Sequence, residues 1–172
     1  APMTATRTTV VLGAISLLLT AAARPAHAAN THVDALGLEV QHQAEVLLGQ
    51  FRTQLLDAPQ FSELTADAHQ AYRRGGHIRE VAQRGGSMTY VRSDVHGLRT
   101  LVADMERLVQ EAELSAAQGQ FGSGRDIASS IRFVRSYLHQ MDSTASQLQA
   151  AANIILQPVA RTVYVPAPVV VS

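Results

Sequence analysis

From Val33 to Ile155, apolar side chains recur at steps of three and four residues with few interruptions. That is the period of helices that bury one stripe against neighbours. The first stretch runs Val33, Leu36, Val40, Gln43, Leu47, Phe51, Leu55, with Asn30 or Thr31 as its candidate N-cap. Asp57-Ala58-Pro59 stops it, because proline cannot continue the hydrogen-bond ladder and suits the first turn of the next helix. The second stretch is Phe61, Leu64, Ala68, Ala71, Gly75, Ile78, Ala82, closed by Gly85-Gly86. The internal pair Gly75-Gly76 weakens this helix and marks it for a kink or a break.

The third and fourth stretches are the most regular. Met88, Val91, Val95, Leu98, Val102, Met105, Val109, Ala112 form one seam. Ile127, Ile131, Val134, Leu138, Met141, Ala145, Leu148, Ala152, Ile155 form the other. Gln118 to Gly124 is a turn segment, with Gly122-Ser123-Gly124 read as a turn and N-cap. Four helices joined by short connections predict an all-α, antiparallel up-down four-helix bundle. A break at Gly75-Gly76 leaves a three-helix bundle as the alternative. Folding the last hairpin about Gly119-Gln120 sets Asp104 opposite Arg135, Arg107 opposite Arg132 and Glu113 opposite Asp126, with Arg125 beside it. An acidic segment then lies along a basic one, with Glu106 and Glu111 as further partners for Arg132 and Arg125.

Both ends change character. Arg7, the apolar run Val10 to Leu19 continuing through Ala23, and Ala26-His27-Ala28 have the order of a secretory signal peptide cut before Ala29. Arg24 and Pro25 interrupt the run before it reaches the ~20 apolar residues of a membrane span. Ala1-Pro2 ahead of Met3 reads as an expression scar. Beyond Gln157 the chain is rich in Val and punctuated by Pro158, Pro166 and Pro168, which predicts an extended hydrophobic tail. The expected organisation is therefore a signal peptide at 1–28, a helical bundle at 29–157 and a tail at 158–172. Localisation is expected to be periplasmic or secreted, with no transmembrane span after cleavage.

Composition removes whole classes of chemistry. All 14 basic residues of the 172 are arginine, so Schiff-base catalysis and a phosphate-loop lysine are excluded. Cysteine is absent, which excludes disulfides, thiol nucleophiles, zinc–thiolate centres and Fe–S clusters. Loss of Arg7 and Arg24 on cleavage would leave 12 Arg against 14 acids. That balance, the absence of Trp and the sparse aromatics argue against a nucleic-acid partner. Gly-x-Ser-x-Gly does not occur, and Glu111 and Glu113 diverge on a helix. No catalytic constellation is assigned, and no cofactor is expected.

Two clusters remain. With the second turn at Gly85-Gly86, His77 comes level with Asp94, Glu80 shares a face with His77, and His96 lies half a turn away. His77, Glu80, Asp94 and His96 could assemble a surface site for a divalent transition metal. The plainer reading is a His–Asp hydrogen bond between neighbouring helices. Glu39-x-x-His42 has the spacing of a diiron motif once only, and His42 turns away from the seam. Met88, Met105 and Met141 lie on seams as core filler. The second cluster is Arg73, Arg74, Arg79, Arg84, Arg92 and Arg99, which surround only Glu80 and Asp94. Such an excess suits an anionic partner or a solvated face.

Asp67-Ala68-His69, His77-Ile78-Arg79-Glu80-Val81-Ala82 and Val91-Arg92-Ser93-Asp94-Val95 resemble a group of uncharacterised exported helical proteins of bacteria, over roughly residues 30–115. The resemblance implies export and a helical fold, and no activity comes with it. Spy-type periplasmic chaperones share the size and class, but their Leu-Thr-x-x-Gln motif is not met: Ala66-Asp67-Ala68 follows Leu64-Thr65. The expectation is a non-enzymatic interaction or structural protein of the periplasm or cell envelope, with a protein or envelope component as partner. A metal- or small-ligand-binding bundle and a chaperone-like protein are the alternatives.

Overall fold

In the structure, a computed structural model, the described residues are 11–121 and 124–156, with side chains described at 27–121 and 127–155. Four helices follow in order: α1 Val11–Gln54, α2 Phe61–Gln83, α3 Met88–Ala117 and α4 Gly124–Leu156. Each packs on its chain neighbours, and α1 also packs on α4, so the four close into a ring. This is the up-down antiparallel four-helix bundle expected of short connections. Among the described residues, no helix is long and apolar enough to cross a membrane. The tail, and the Ser123 of the turn before α4, lie outside the described residues.

The seams are the core. Every apolar seam position read from the sequence is buried except Phe61 and Ile155, which are half-buried against the cluster. Leu48, Val81, Leu101, Leu108 and Ala151 are buried as well. They widen each stripe because every helix faces two neighbours rather than one. Each fully buried large apolar side chain contributes roughly 1.5–3 kcal/mol, so the core carries the fold.

The seam includes one polar residue, Gln43, which is 2% exposed. Its Nε2 donates to Glu39 Oε1 at 2.9 Å and to Thr144 Oγ1 on α4 at 3.1 Å. Thr144 in turn donates to the Gln140 carbonyl at 3.0 Å. Gln43 Oε1 has no hydrogen-bond partner among the described residues. The pair links α1 to α4 in one register, which an all-apolar seam specifies less sharply.

The ends of the helices follow from local chemistry. Gly85 (φ +64°) and Gly119 (φ +72°) adopt the left-handed conformation just past α2 and α3. Gly86 N–H reaches back to the Val81 carbonyl at 2.8 Å, and Gln120 N–H to Ser115 at 3.0 Å. Both close the last turn in the Schellman manner. Ser87 then caps α3, its Oγ accepting from Thr89 N–H at 3.3 Å.

Three expectations need correction. Asn30 and Thr31 do not cap α1, which is continuous through them, and Thr31 Oγ1 bonds the His27 carbonyl one turn back. Gly75-Gly76 does not split α2, which is helical through both. Gly75 and Gly37 face each other where α2 crosses α1, and a Cβ added at Gly75 would stand 2.9 Å from the Gly37 carbonyl oxygen. The glycines that weaken the isolated helix let the two backbones approach.

The third correction is the register of the last hairpin. Arg135 pairs with Glu113 at 2.7 Å rather than with Asp104, and Arg107 pairs with Glu111 on its own helix at 2.7 Å. Arg99 meets Asp142 at 3.4 Å, and Glu106 meets His139 at 3.6 Å. The hairpin is antiparallel, with acids on α3 meeting bases on α4 at Glu113–Arg135 and Glu106–His139 and the reverse at Arg99–Asp142, but the pairs are displaced toward higher numbers. Side chains lean toward the N-terminus of their own helix. In an antiparallel pair both therefore lean toward lower numbers, and groups that meet come from residues beyond those whose Cα atoms are level.

Candidate functional site in the α2–α3 groove

The short turn Arg84–Ser87 sets α2 and α3 side by side and brings the C-terminal turns of α2 level with the N-terminal turns of α3. His77 Nδ1 lies 2.5 Å from Asp94 Oδ2, and Arg74 Nη1 lies 3.3 Å from Asp94 Oδ1. Asp94 thus holds one group on each oxygen. Its side chain is 13% exposed, against 48% for His77. The His77 and Tyr90 rings meet edge to face with centroids 6.5 Å apart.

Gly97 makes the Arg74 position possible. A Cβ built there would overlap Arg74 Cζ and crowd both Nη atoms. The guanidinium lies against the α3 backbone where any other residue would put a side chain. Gln70, Arg73, Arg74, His77 and Asp94 line a groove of about 250 Å³ at this point. Gln70, Arg73 or Arg74, and His77 fall at steps of three and four, so they share a face of α2.

The metal constellation is only half assembled. His77 and Asp94 meet as the level-matching required. Glu80 instead pairs with Arg84 one turn on, at 2.7 Å, and His96 is an exposed residue on α3. Among the described residues, no group of three or more His, Asp or Glu is placed to hold a metal ion. His42 is exposed, and Met88, Met105 and Met141 are buried among apolar side chains.

The arginines do not form one patch. Arg79 turns to α1, where it donates to Asp34 Oδ1 at 3.1 Å and Gln41 Oε1 at 2.9 Å. Arg99 reaches α4 and Arg84 stays on α2. Arg73 and Arg92 are exposed and take no ionic partner among the described residues. Helical rotation of about 100° per residue scatters a cluster that is dense in sequence over several faces. Gln70 and Gly97 belong to the site without having been singled out in the sequence. Gly97 had a signal: a glycine inside a strong helical pattern marks close approach of another group.

A larger groove of about 520 Å³ lies between α1 and the α2–α3 turn, lined by His27, Asn30, Thr31, Asp34, Ala82, Gln83, Arg84 and Gly85. Its Asp34 and Arg84 are already paired: Asp34 accepts from Arg79 and from Gln83 at 3.0 Å, and Arg84 holds Glu80. The α2–α3 groove is smaller but keeps an uncommitted cation, Arg73.

Further along the same interface the charges are alike. Burial first, then Asp104 on α3 and Glu63 one turn back, push the Asp67 carboxyl above its usual 3.8, with Arg107 opposing them. Folding therefore raises this pKa, and the native state binds the proton more tightly than the unfolded chain. Stability rises as pH falls through the raised value toward 3.8, and the cost is full above it. Asp67→Asn should accordingly stabilise the protein at pH 7, by roughly 0.2–0.5 kcal/mol per like-charged pair relieved, less the attraction to Arg107 that is lost. That gain should shrink as the pH is lowered, and urea melts at pH 7 and pH 4 would reveal it. A gain that grows toward pH 4 would contradict the assignment.

No family model matches this chain, and neither does any curated protein or solved structure.

Proposed function

We propose that the protein is an exported, non-enzymatic bundle that acts by contact with another component of the periplasm or cell envelope. The α2–α3 groove is the contact surface in this reading. One observation carries it: the interior is occupied by packing, while polar side chains converge on the outside. Bundles that house a cofactor turn polar ligands inward between facing helices. Here the buried polar side chains among the described residues are Gln43 and Thr144, bonded to each other. Arg73, Arg74, His77 and Gln70 instead line a surface groove, with Tyr90 62% exposed beside His77. Arginine and tyrosine are the residue types enriched where proteins meet partners. Export is supported by the order of Arg7, the apolar run and Ala26-His27-Ala28.

The test combines fractionation with cross-linking in the native host. Intact-mass analysis of the envelope fraction should show a chain beginning at Ala29. A photo-reactive residue placed at Gln70 should trap a defined envelope component, whereas one at Ser146 on α4 should not. A chain that stays in the cytoplasm with residues 3–28 attached, or equal trapping from both positions, would defeat the reading.

A further inference from the structure

We propose that the groove between α2 and α3 is a receptor for a phosphate group, held between the Arg73 and Arg74 guanidinium groups with Gln70 and His77 at its edge. The site rests on the reading of this groove as the contact surface and gives that surface a ligand chemistry. Arg73 brings a full fork of N–H donors with no partner among the described residues. Arg74 spends Nη1 on Asp94 and keeps its other donors. His77 uses Nδ1 on the same carboxylate and keeps Nε2. Gln70 adds an amide on the same face of α2.

Asp94 is the positioning residue of this arrangement. Asp94 lines the groove too, but each of its oxygens holds one group and its side chain is mostly buried, so its charge orients Arg74 and His77 and is offset by the two guanidinium groups. Gly97 is the second device, because the space left by its missing side chain fixes where the Arg74 guanidinium lies. Preorganised donors lose little freedom when the ligand arrives. Arg73 and Arg74 outweigh Asp94 by one formal charge before His77 is counted.

The donor set selects the ligand. Two guanidinium groups and an amide present more donors than the two oxygens of a carboxylate accept, whereas a phosphate offers three or more acceptor oxygens. Arginine also matches phosphate in bidentate geometry. The volume of about 250 Å³ is below the roughly 300–1,000 Å³ of pockets that enclose whole small molecules. It suits a single anionic group, either free or at the head of a lipid.

The test titrates inorganic phosphate into the bundle while following arginine side-chain N–H and histidine ring resonances by NMR. Saturable shifts at Arg73, Arg74 and His77 are expected. Arg73→Gln should weaken the affinity by about tenfold or more, as loss of a charge-assisted hydrogen bond does. Gly97→Ala should weaken it comparably by displacing the Arg74 guanidinium. The fold should survive, since the three atoms nearest the new methyl all belong to the flexible end of that side chain. Arg132→Gln, on α4 away from the groove, should leave the affinity unchanged. Co-sedimentation with vesicles of phosphatidic acid, compared with phosphatidylcholine, separates the sources. Wild-type binding lost in Arg73→Gln identifies a lipid headgroup, and a response to phosphate without vesicle binding identifies a free ion. Equal shifts at all exposed arginines, or an Arg73→Gln variant with wild-type affinity for both probes, would overturn the proposal. The contact reading fails separately: a partner trapped from Gln70 without any phosphate response retains the surface and removes this ligand.

Discussion

Val102→Asp should cost the bundle about 4 kcal/mol or more, a large share of the roughly 5–15 kcal/mol that holds a domain of this size. Val102 is 3% exposed in the middle of α3, with Leu98, Met105 and Leu138 also buried in the same core. The substitution removes apolar burial and places a carboxylate within the hydrophobic core. The carboxylate must then stay charged in an apolar setting or take up a proton, and either is costly. Arg132→Glu is the matched surface change. Arg132 is exposed, and its hydrogen bonds run within α4, to the Ala128 carbonyl and the Ser129 hydroxyl, both at 3.4 Å. Its reversal should stay within about 0.5 kcal/mol, since exposed charges away from special features contribute little. Urea melts of the two variants should differ several-fold in lost stability. Equal losses would mean that the α3 seam is not the core.

Gly75→Ala should destabilise the protein by roughly 1–3 kcal/mol, although alanine is the better helix former by about 1 kcal/mol. The reason is the α1–α2 crossing. An added Cβ would sit 2.9 Å from both the Gly37 carbonyl oxygen and Gln41 Cγ, and 3.2 Å from the Gln41 backbone nitrogen. Two of those three atoms are backbone, so relief requires α1 and α2 to separate. Separation in turn loosens the Arg79 bonds to Asp34 and Gln41. Gly49→Ala provides the opposite sign on the same scaffold. Gly49 is an exposed residue of α1 with nothing within 4 Å of its added Cβ. There the propensity term acts alone, and a gain of about 0.5–1 kcal/mol is expected. Thermal melts of the two single variants decide the matter. A Gly75→Ala protein as stable as the parent would show that the helices can part without loss.

Why some features were legible and others were not can be seen residue by residue. Leu98 and Leu138 could be placed in the core from the sequence because burial repeats with the helix period, and the period is a local property. The turn at Gly85-Gly86 was legible for the same reason: only local backbone geometry makes glycine favourable past a helix end. The level of His77 with Asp94 followed from counting outward from that turn. Side-chain reach did not. The partner of Arg135 depended on which way two side chains lean across a hairpin, and Cα levels alone pointed to Asp104 instead of Glu113.

The sequence by itself determined the four helices, the turn that ends α2 and the apolar stripes that face inward, because each depends on residues within a few turns of one another; it misplaced the start of α1. Only the tertiary structure decided what Gly75 and Gly97 are for, and which arginine faces what. One glycine admits the Gly37 backbone of α1, the other admits the Arg74 guanidinium of α2. Each is unfavourable within its own helix, and its compensation lies on a different helix, brought alongside by packing. Local propensity therefore reads both as weaknesses. The six arginines that crowd one stretch of sequence part company for a related reason: helix rotation turns Arg79 toward α1, Arg74 toward α3 and Arg99 toward α4, leaving Arg73 free to face the groove.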